Sequence, residues 1–277
     1  MTETRNMNYY LTNLAKCDAQ SHPELANLNP EELFQVGFVE RYKSLHKDLW
    51  WRVIRVHGTL LTLEQLHQFP FDLLYAPSEM EFWRLVIENC VDIGILYLHG
   101  LAIDQKGDVH TLLSFKREIV KAPWLDSGKL ELFMRILRER KFHKSVKSIA
   151  DRVNKIRNTR IAHRLVDRQT GFPKEGLAGV KLAELWELFD AAHSLFGALS
   201  FGTAYVTLAG DMMPSTVGGE PTRTCLDGVL DAVLRDSFFV NEPERMAKWW
   251  AKHRKHRTPE RLRVMNELRK RIGLPEA

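Results

Sequence analysis

Apolar residues recur along this chain at intervals of three and four, the spacing of one face of an α-helix, and nowhere alternate over the length of a strand. Leu33, Val36, Val39, Leu45, Leu49, Val53 and Val56 follow the capped opening Asn29-Pro30-Glu31-Glu32 and predict a helix from Glu31 to about Phe69, with Gly58 a point where it can break. Ser78 begins a Ser-x-x-Glu capping box. From there Phe82, Leu85, Val86, Val91, Ile95 and Leu98 carry a second helix to Leu101, its apolar stripe wide enough for the middle of a bundle. Asp104 to Asp108 is a turn, and Thr111 to Val120 a short helix stopped by Pro123. Ser127 to about Ala162 is a third long helix. After a polar loop with Gly171, Pro173 and Gly176, Leu177 to about Leu208 forms a fourth, with Leu182, Leu185, Phe189, Ala192, Phe196 and Leu199 as its core face.

Four long helices joined by polar connections predict an all-α protein built as an up-and-down helical bundle with additional C-terminal helices. Met212 to Pro221 holds Pro214 and Gly218-Gly219 and is the clearest linker. Beyond it Leu226 to Phe239 and Glu244 to Ile272 are shorter helices. The expected organisation is an N-terminal extension over 1–29, the bundle over 30–210, and a linker with a basic helical extension over 211–277.

At 277 residues and 44% hydrophobic the chain can bury one sizeable core. No apolar run approaches the ~20 residues of a membrane span and the first residues lack a signal peptide's apolar core, so a cytoplasmic protein is expected. Cys17, Cys90 and Cys225 are odd in number, far apart and in no CxxC pair, which argues against disulfides and thiolate zinc. Charge changes the picture more. Arg138 to Arg168 holds eleven Lys/Arg against three acids, and Glu244 to Ala277 eleven against four, while the whole chain is only +5. The two segments carry +8 and +7, and the rest sums to −10. Such segregation of sign points to a polyanion-facing surface and a nucleic-acid partner.

The candidate chemistry lies in Lys155-Ile-Arg-Asn-Thr-Arg-Ile-Ala-His163, inside the first basic segment. Cleavage of RNA by its own 2′-hydroxyl needs a base, an acid for the leaving 5′-oxygen, and positive charge on the phosphorane-like transition state. His163 can transfer a proton near neutral pH, and the planar fork of Arg157 suits a phosphate. Asn158 can orient His163 or a phosphate oxygen, while Lys155, Arg160 and Arg164 add field and contacts to RNA. Six residues at ~100° each put Arg157 and His163 about 120° apart on a straight helix. Either the helix breaks near Ala162, or the Arg of one subunit meets the His of another across a two-fold axis.

Arg157-Asn158 followed by His163 resembles the signature of the HEPN superfamily, and Arg160-Ile-Ala-His163 is similar to its branch named for AbiU-type abortive-infection proteins. Phe82-Trp83, the Leu98 to Asp104 segment and Thr111-Leu-Leu-Ser114 fall where that branch has comparable residues, so the resemblance spans roughly residues 30 to 210. It implies a helical bundle, a composite cleft at a homodimer interface, and a metal-independent endoribonuclease of a bacterial defence or toxin system with an antitoxin or defence protein as a further partner. No cofactor is implied.

In the tail, Trp249 and Trp250 interleave with Lys252 and Arg254, a composition suited to base stacking and phosphate contact. The alternative there is an amphipathic helix that buries its tryptophans. His253 and His256 are three apart, but the cations around them repel a metal, so no metal site is expected. His57, His67 and His99 lie singly among apolar residues and are read as core or boundary histidines. Trp50 and Trp51 are read as core or dimer interface. Two non-enzymatic alternatives stand beside the nuclease: a HEPN-like dimerising module that binds nucleic acid or nucleotide without cutting, and a helical adaptor for another defence protein, which an exposed apolar groove would favour.

Overall fold

The computed structural model describes residues 23–69, 80–103, 110–158 and 181–202, two short strands at 216–217 and 220–221, and isolated positions between 229 and 273. The described helices are α1 (Pro23–Ala26), α2 (Pro30–Leu33), α3 (Val36–Gln68), α4 (Met80–Ala102), α5 (Leu112–Lys121), α6 (Ser127–Glu139), α7 (Phe142–Arg157) and α8 (Leu182–Gly197). Strands β1 (Thr216–Val217) and β2 (Glu220–Pro221) form one antiparallel pair, with Thr216 opposite Pro221 and Val217 opposite Glu220. Among the described residues the protein is all-α apart from that pair of two-residue strands.

Local chemistry starts these helices where the sequence signals say. Thr111 caps α5: its hydroxyl accepts from the Ser114 N–H, and the Ser114 hydroxyl accepts from the Thr111 N–H at 2.7 Å. Asp126 caps α6 by accepting from the Gly128 N–H at 2.7 Å. Glu32 reaches back to the Asn29 N–H, also at 2.7 Å, and Pro30 occupies the first turn of α2.

Two predicted helices are divided, one by main-chain contacts from far along the chain and one by a local turn. The expected Glu31 to Phe69 helix is interrupted at Phe34-Gln35, where the main chain pairs with the segment before α6: Gln35 N–H donates to the Pro123 carbonyl at 3.0 Å and Leu125 N–H to the Leu33 carbonyl at 2.9 Å. Gly58 breaks nothing, since α3 runs through it. The expected Ser127 to Ala162 helix is two helices, because Lys141 sits at φ 48° in the left-handed region and turns the chain between α6 and α7. That conformation costs a non-glycine residue about 1–2 kcal/mol, offset here by packing on both sides. The Ser78 box, the 104–108 turn and the ends of the predicted fourth helix lie outside the described residues.

The chain divides into two compact units, residues 1–60 with 91–209 and residues 61–90 with 210–277. In the first, the helices pair antiparallel. Arg52 meets Gly100, Thr59 meets Gly94 and Arg55 lies over Tyr97, which sets α3 against α4. Tyr42 bonds to Leu199 and His46 packs on Phe196, which sets α3 against α8. Arg140 bonds to Ser194 and Arg152 to Glu184 and Glu187, which sets α7 against α8.

An aromatic cluster of Phe34, Tyr42, Phe115, Trp124, Phe133 and Phe201 closes one end of this unit, with ring centroids 4.8–6.1 Å apart where they touch. Tyr42, fully buried, donates to the Leu199 carbonyl and accepts from the Phe201 N–H, both at 3.0 Å, and so ties the chain leaving α8 to α3. Gly202 follows at φ 51°, and a Cβ there would strike the Leu28 carbonyl. Trp50 is buried in the core and Trp51 is 39% exposed. His57 and His99 are buried, whereas His67 is exposed, so the core or boundary expectation fails for His67.

In the second unit Leu63, Leu66, Phe69 and Leu230 are buried. The stretch Phe82–Ala102 of α4, 21 residues at mean hydropathy 1.4, is long and apolar enough to cross a membrane, a length that the apolar runs of the sequence put out of reach. Ile95, Leu98, Leu101 and Ala102 on it are buried and α3 sets the Arg52 and Arg55 guanidiniums against it, but Phe82 and Leu85 of the expected stripe are exposed, so the bundle face covers only the later turns.

Candidate functional site

The buried face of α7 is fixed by Phe142, Val146, Ile149 and Val153, spaced four, three and four. Everything else on the helix follows from that choice. Lys144, Lys147, Asp151, Lys155 and Asn158 point outward and are exposed. Asn154 lies about 100° and Arg157 about 40° from Val153, so both leave the helix on a flank and are half-buried. Asn158 is the C-cap, with its N–H bonded to the Asn154 and Lys155 carbonyls. The helix dipole favours cations at this terminus, which helps hold Lys155 and Arg157 there.

The two arginines of α7 have opposite surroundings. Arg152 is held by Glu184 at 3.5 Å and Glu187 at 3.2 Å. Arg157 has no carboxylate partner among the described residues. His99, in the last turn of α4, is 7% exposed. Burial first and the Arg157 charge second hold His99 below the ordinary histidine value of 6.5, against the Asn154 hydrogen bond, so His99 is neutral at pH 7.

Of the expected site residues, the structure describes Lys155, Arg157 and Asn158 and places them in the last turn of α7. His163, Arg160, Arg164, Trp249, Trp250, Lys252 and Arg254 lie outside the described residues, as do His253 and His256. His99, read from the sequence as a core or boundary histidine, is buried as expected.

One polar cluster was missed. Asp48 faces His110 Nδ1 at 3.2 Å and Arg52 Nη2 at 3.1 Å, while Arg52 Nη1 donates to the carbonyls of His110 at 2.9 Å and Gly100 at 3.3 Å. It clamps the end of α4 to α3. Among the described residues no three His, Cys, Asp or Glu side chains converge as a metal site would require.

The model of one protein family, HEPN_AbiU2, described as AbiU2, matches residues 36–214. No curated protein and no solved structure matches the chain.

Proposed function

We propose that this chain, which belongs to the AbiU2 family of HEPN domains, is a metal-independent endoribonuclease of a bacterial defence or toxin system. Family membership supports a defence-associated module of HEPN type. The observation that carries the nuclease reading is Arg157: a half-buried guanidinium that faces no carboxylate among the described residues, on a helix whose Arg152 holds two. Its fork suits a phosphate, which accepts two parallel charged hydrogen bonds.

In this reading Arg157 holds the scissile phosphate and stabilises charge developing on its equatorial oxygens. Asn158, exposed beside it, orients, and His163 transfers the proton between the 2′-hydroxyl and the leaving oxygen. Lys155, Arg160 and Arg164 extend the phosphate contacts, and Trp249, Trp250, Lys252 and Arg254 hold the strand from the tail. The roughly 120° between Arg157 and His163 is bridged by a homodimer in which each cleft takes its Arg from one subunit and its His from the other.

The test is cleavage of total RNA by the purified chain in EDTA, with mapping of the cut ends. Wild-type cleavage leaving 2′,3′-cyclic phosphate ends is expected, with a loss of about 10²-fold in His163→Ala and a clear impairment in Arg157→Lys, since a point charge cannot reproduce the fork. Equal activity in His163→Ala and wild type removes His163 from the mechanism.

One observation favours a second reading, a helical module that docks another protein. Phe82 and Leu85 of α4 are 62% and 56% exposed. Three residues apart, they share one face of that helix, an apolar stripe of the kind protein partners cover. A chain that binds no RNA at low salt while capturing a defence protein through that stripe supports this reading over the nuclease.

A further inference from the structure

The two flanks of α7 differ in charge. On the flank toward α8, Arg152 is matched by Glu184 and Glu187. On the opposite flank His143, Lys147, Ala150, Asn154 and Arg157 follow at intervals of four, three, four and three, which keeps all five within about 80° around the helix. The row holds no acid, and Asp151 of the same helix is turned about 120° from Arg157. His143 and Lys147 are exposed and Asn154 and Arg157 half-buried. Among the described residues His143, Lys147 and Arg157 meet no carboxylate, and the small side chain of Ala150 leaves the middle of the row low.

Local helix stability does not account for the cations that begin this row. The N-terminal end of a helix carries partial positive charge and favours acids. The first turn of α7 has no acid and holds His143 and Lys144, Lys147 comes in the next turn, and Lys141 at the N-cap makes no side-chain capping bond. Lys155 and Arg157, in the last turn, lie where the dipole favours them. The early cations oppose it.

We infer that this flank of α7 is a track for one backbone of single-stranded RNA, with Arg157 on the scissile phosphate, Lys147 and His143 on phosphates toward the start of the helix, and the Asn154 amide donating between them. This rests on the reading of Arg157 as the phosphate holder. The row covers about 21 Å of helix axis and is one side chain wide, so it follows one strand and does not straddle the two backbones of a duplex. Cleavage by the 2′-hydroxyl favours the same form. The attacking oxygen has to come in line with the leaving 5′-oxygen, which the stacked A-form prevents and an unstacked strand allows. The flank toward α8 offers no such path, because Glu184 and Glu187 repel a phosphate there.

The probe is a 2′-O-methyl oligonucleotide, which lacks the attacking hydroxyl, used as a single strand and annealed to its 2′-O-methyl complement. Its affinity for the full chain is read by fluorescence anisotropy over a range of salt concentrations. The wild type should bind the single strand more tightly than the duplex. Lys147→Ala should weaken binding and make the slope of log affinity against log salt shallower by about 0.7, the share of one phosphate of a single strand, and Arg157→Gln should do the same. The double variant should lose about 1.4, since both cations act on one strand. Lys43→Gln removes an equal charge from a lysine already matched by Glu31 and Glu40 and should leave the slope unchanged. Circular dichroism checks that each variant folds. Acetylation of the wild type, followed by mass spectrometry, needs no variant: bound single strand should protect Lys147 and leave Lys43 as reactive as before.

An unchanged slope in Lys147→Ala, or Lys147 left unprotected, overturns the track; with Arg157→Gln still weakening binding, it leaves the nuclease reading standing. Tighter binding of the duplex overturns the single strand as the occupant. A wild type that binds neither form at low salt overturns Arg157 as the phosphate holder, and the track with it.

Discussion

Lowering the pH should destabilise the first compact unit through His46, and the size of the effect follows from its burial. His46 is 2% exposed in the core face of α3, with its ring 4.9 Å from that of Phe196. The Ser200 hydroxyl donates to the Phe196 carbonyl at 3.0 Å, so its oxygen accepts from His46 Nε2 at 2.8 Å. That assigns the proton to Nε2 and a neutral ring. Burial pushes the His46 pKa down from 6.5 to about 3. The unfolded chain therefore binds the proton more tightly than the folded one. Stability due to keeping the ring neutral is complete above about pH 6.5 and is lost as the pH falls toward 3. Between pH 7 and pH 5, midpoints of 6.5 and about 3 imply a loss of about 2 kcal/mol from this residue alone. His193, pushed down by burial to about 4, adds loss of the same sign. Urea unfolding at pH 7 and pH 5 for wild type and His46→Gln isolates the His46 part, because Gln can still donate to Ser200 but does not titrate. The wild type should lose about 2 kcal/mol more than the variant over that interval. Equal losses would show that His46 titrates normally in the folded chain and would refute the buried, neutral assignment.

Mixing an Arg157→Ala protomer with a His163→Ala protomer should restore RNA cleavage to a mixture of two inactive proteins, since one cleft of the heterodimer is then complete; a mixture as inactive as its parts, in protomers shown to exchange, argues against a composite cleft. Tyr42→Phe should cost about 1–3 kcal/mol in urea unfolding, the penalty for leaving a buried group unsatisfied, because the Leu199 carbonyl and Phe201 N–H are deprived of their shared hydroxyl together. Ending the chain after Val217 removes the +7 segment and should make log affinity for RNA fall less steeply with log salt, by about one unit for each phosphate the tail would otherwise neutralise. Loss of helicity in that shortened chain would show instead that residues 61–90 need the tail to pack, as their membership of one compact unit suggests, and that Trp249 and Trp250 are packing residues.

What was legible in the sequence was whatever depends on near neighbours. The Thr111 and Asn29 caps, the apolar faces of α3 and α8, and the helical setting of Arg157-Asn158 all lie within a turn or two of the residues that explain them. The breaks were not legible. Phe34 leaves the helix because Pro123 and Leu125 supply main-chain partners from far along the chain, and no glycine or proline marks the spot. Lys141 turns left-handed at φ 48°, a conformation that its residue type does not announce.

Arg152 and Arg157 show why a motif by itself underdetermines a site. They share a helix, a residue type and a basic segment, and a reading by composition treats them alike. Glu184 and Glu187 of α8 lie across from the first, so its charge is already matched and another anion would have to displace a carboxylate. Among the described residues no such carboxylate faces the second, so a phosphate reaching Arg157 would displace none of theirs. The contrast between the two arginines comes from where α8 begins, and the bundle's packing decides that.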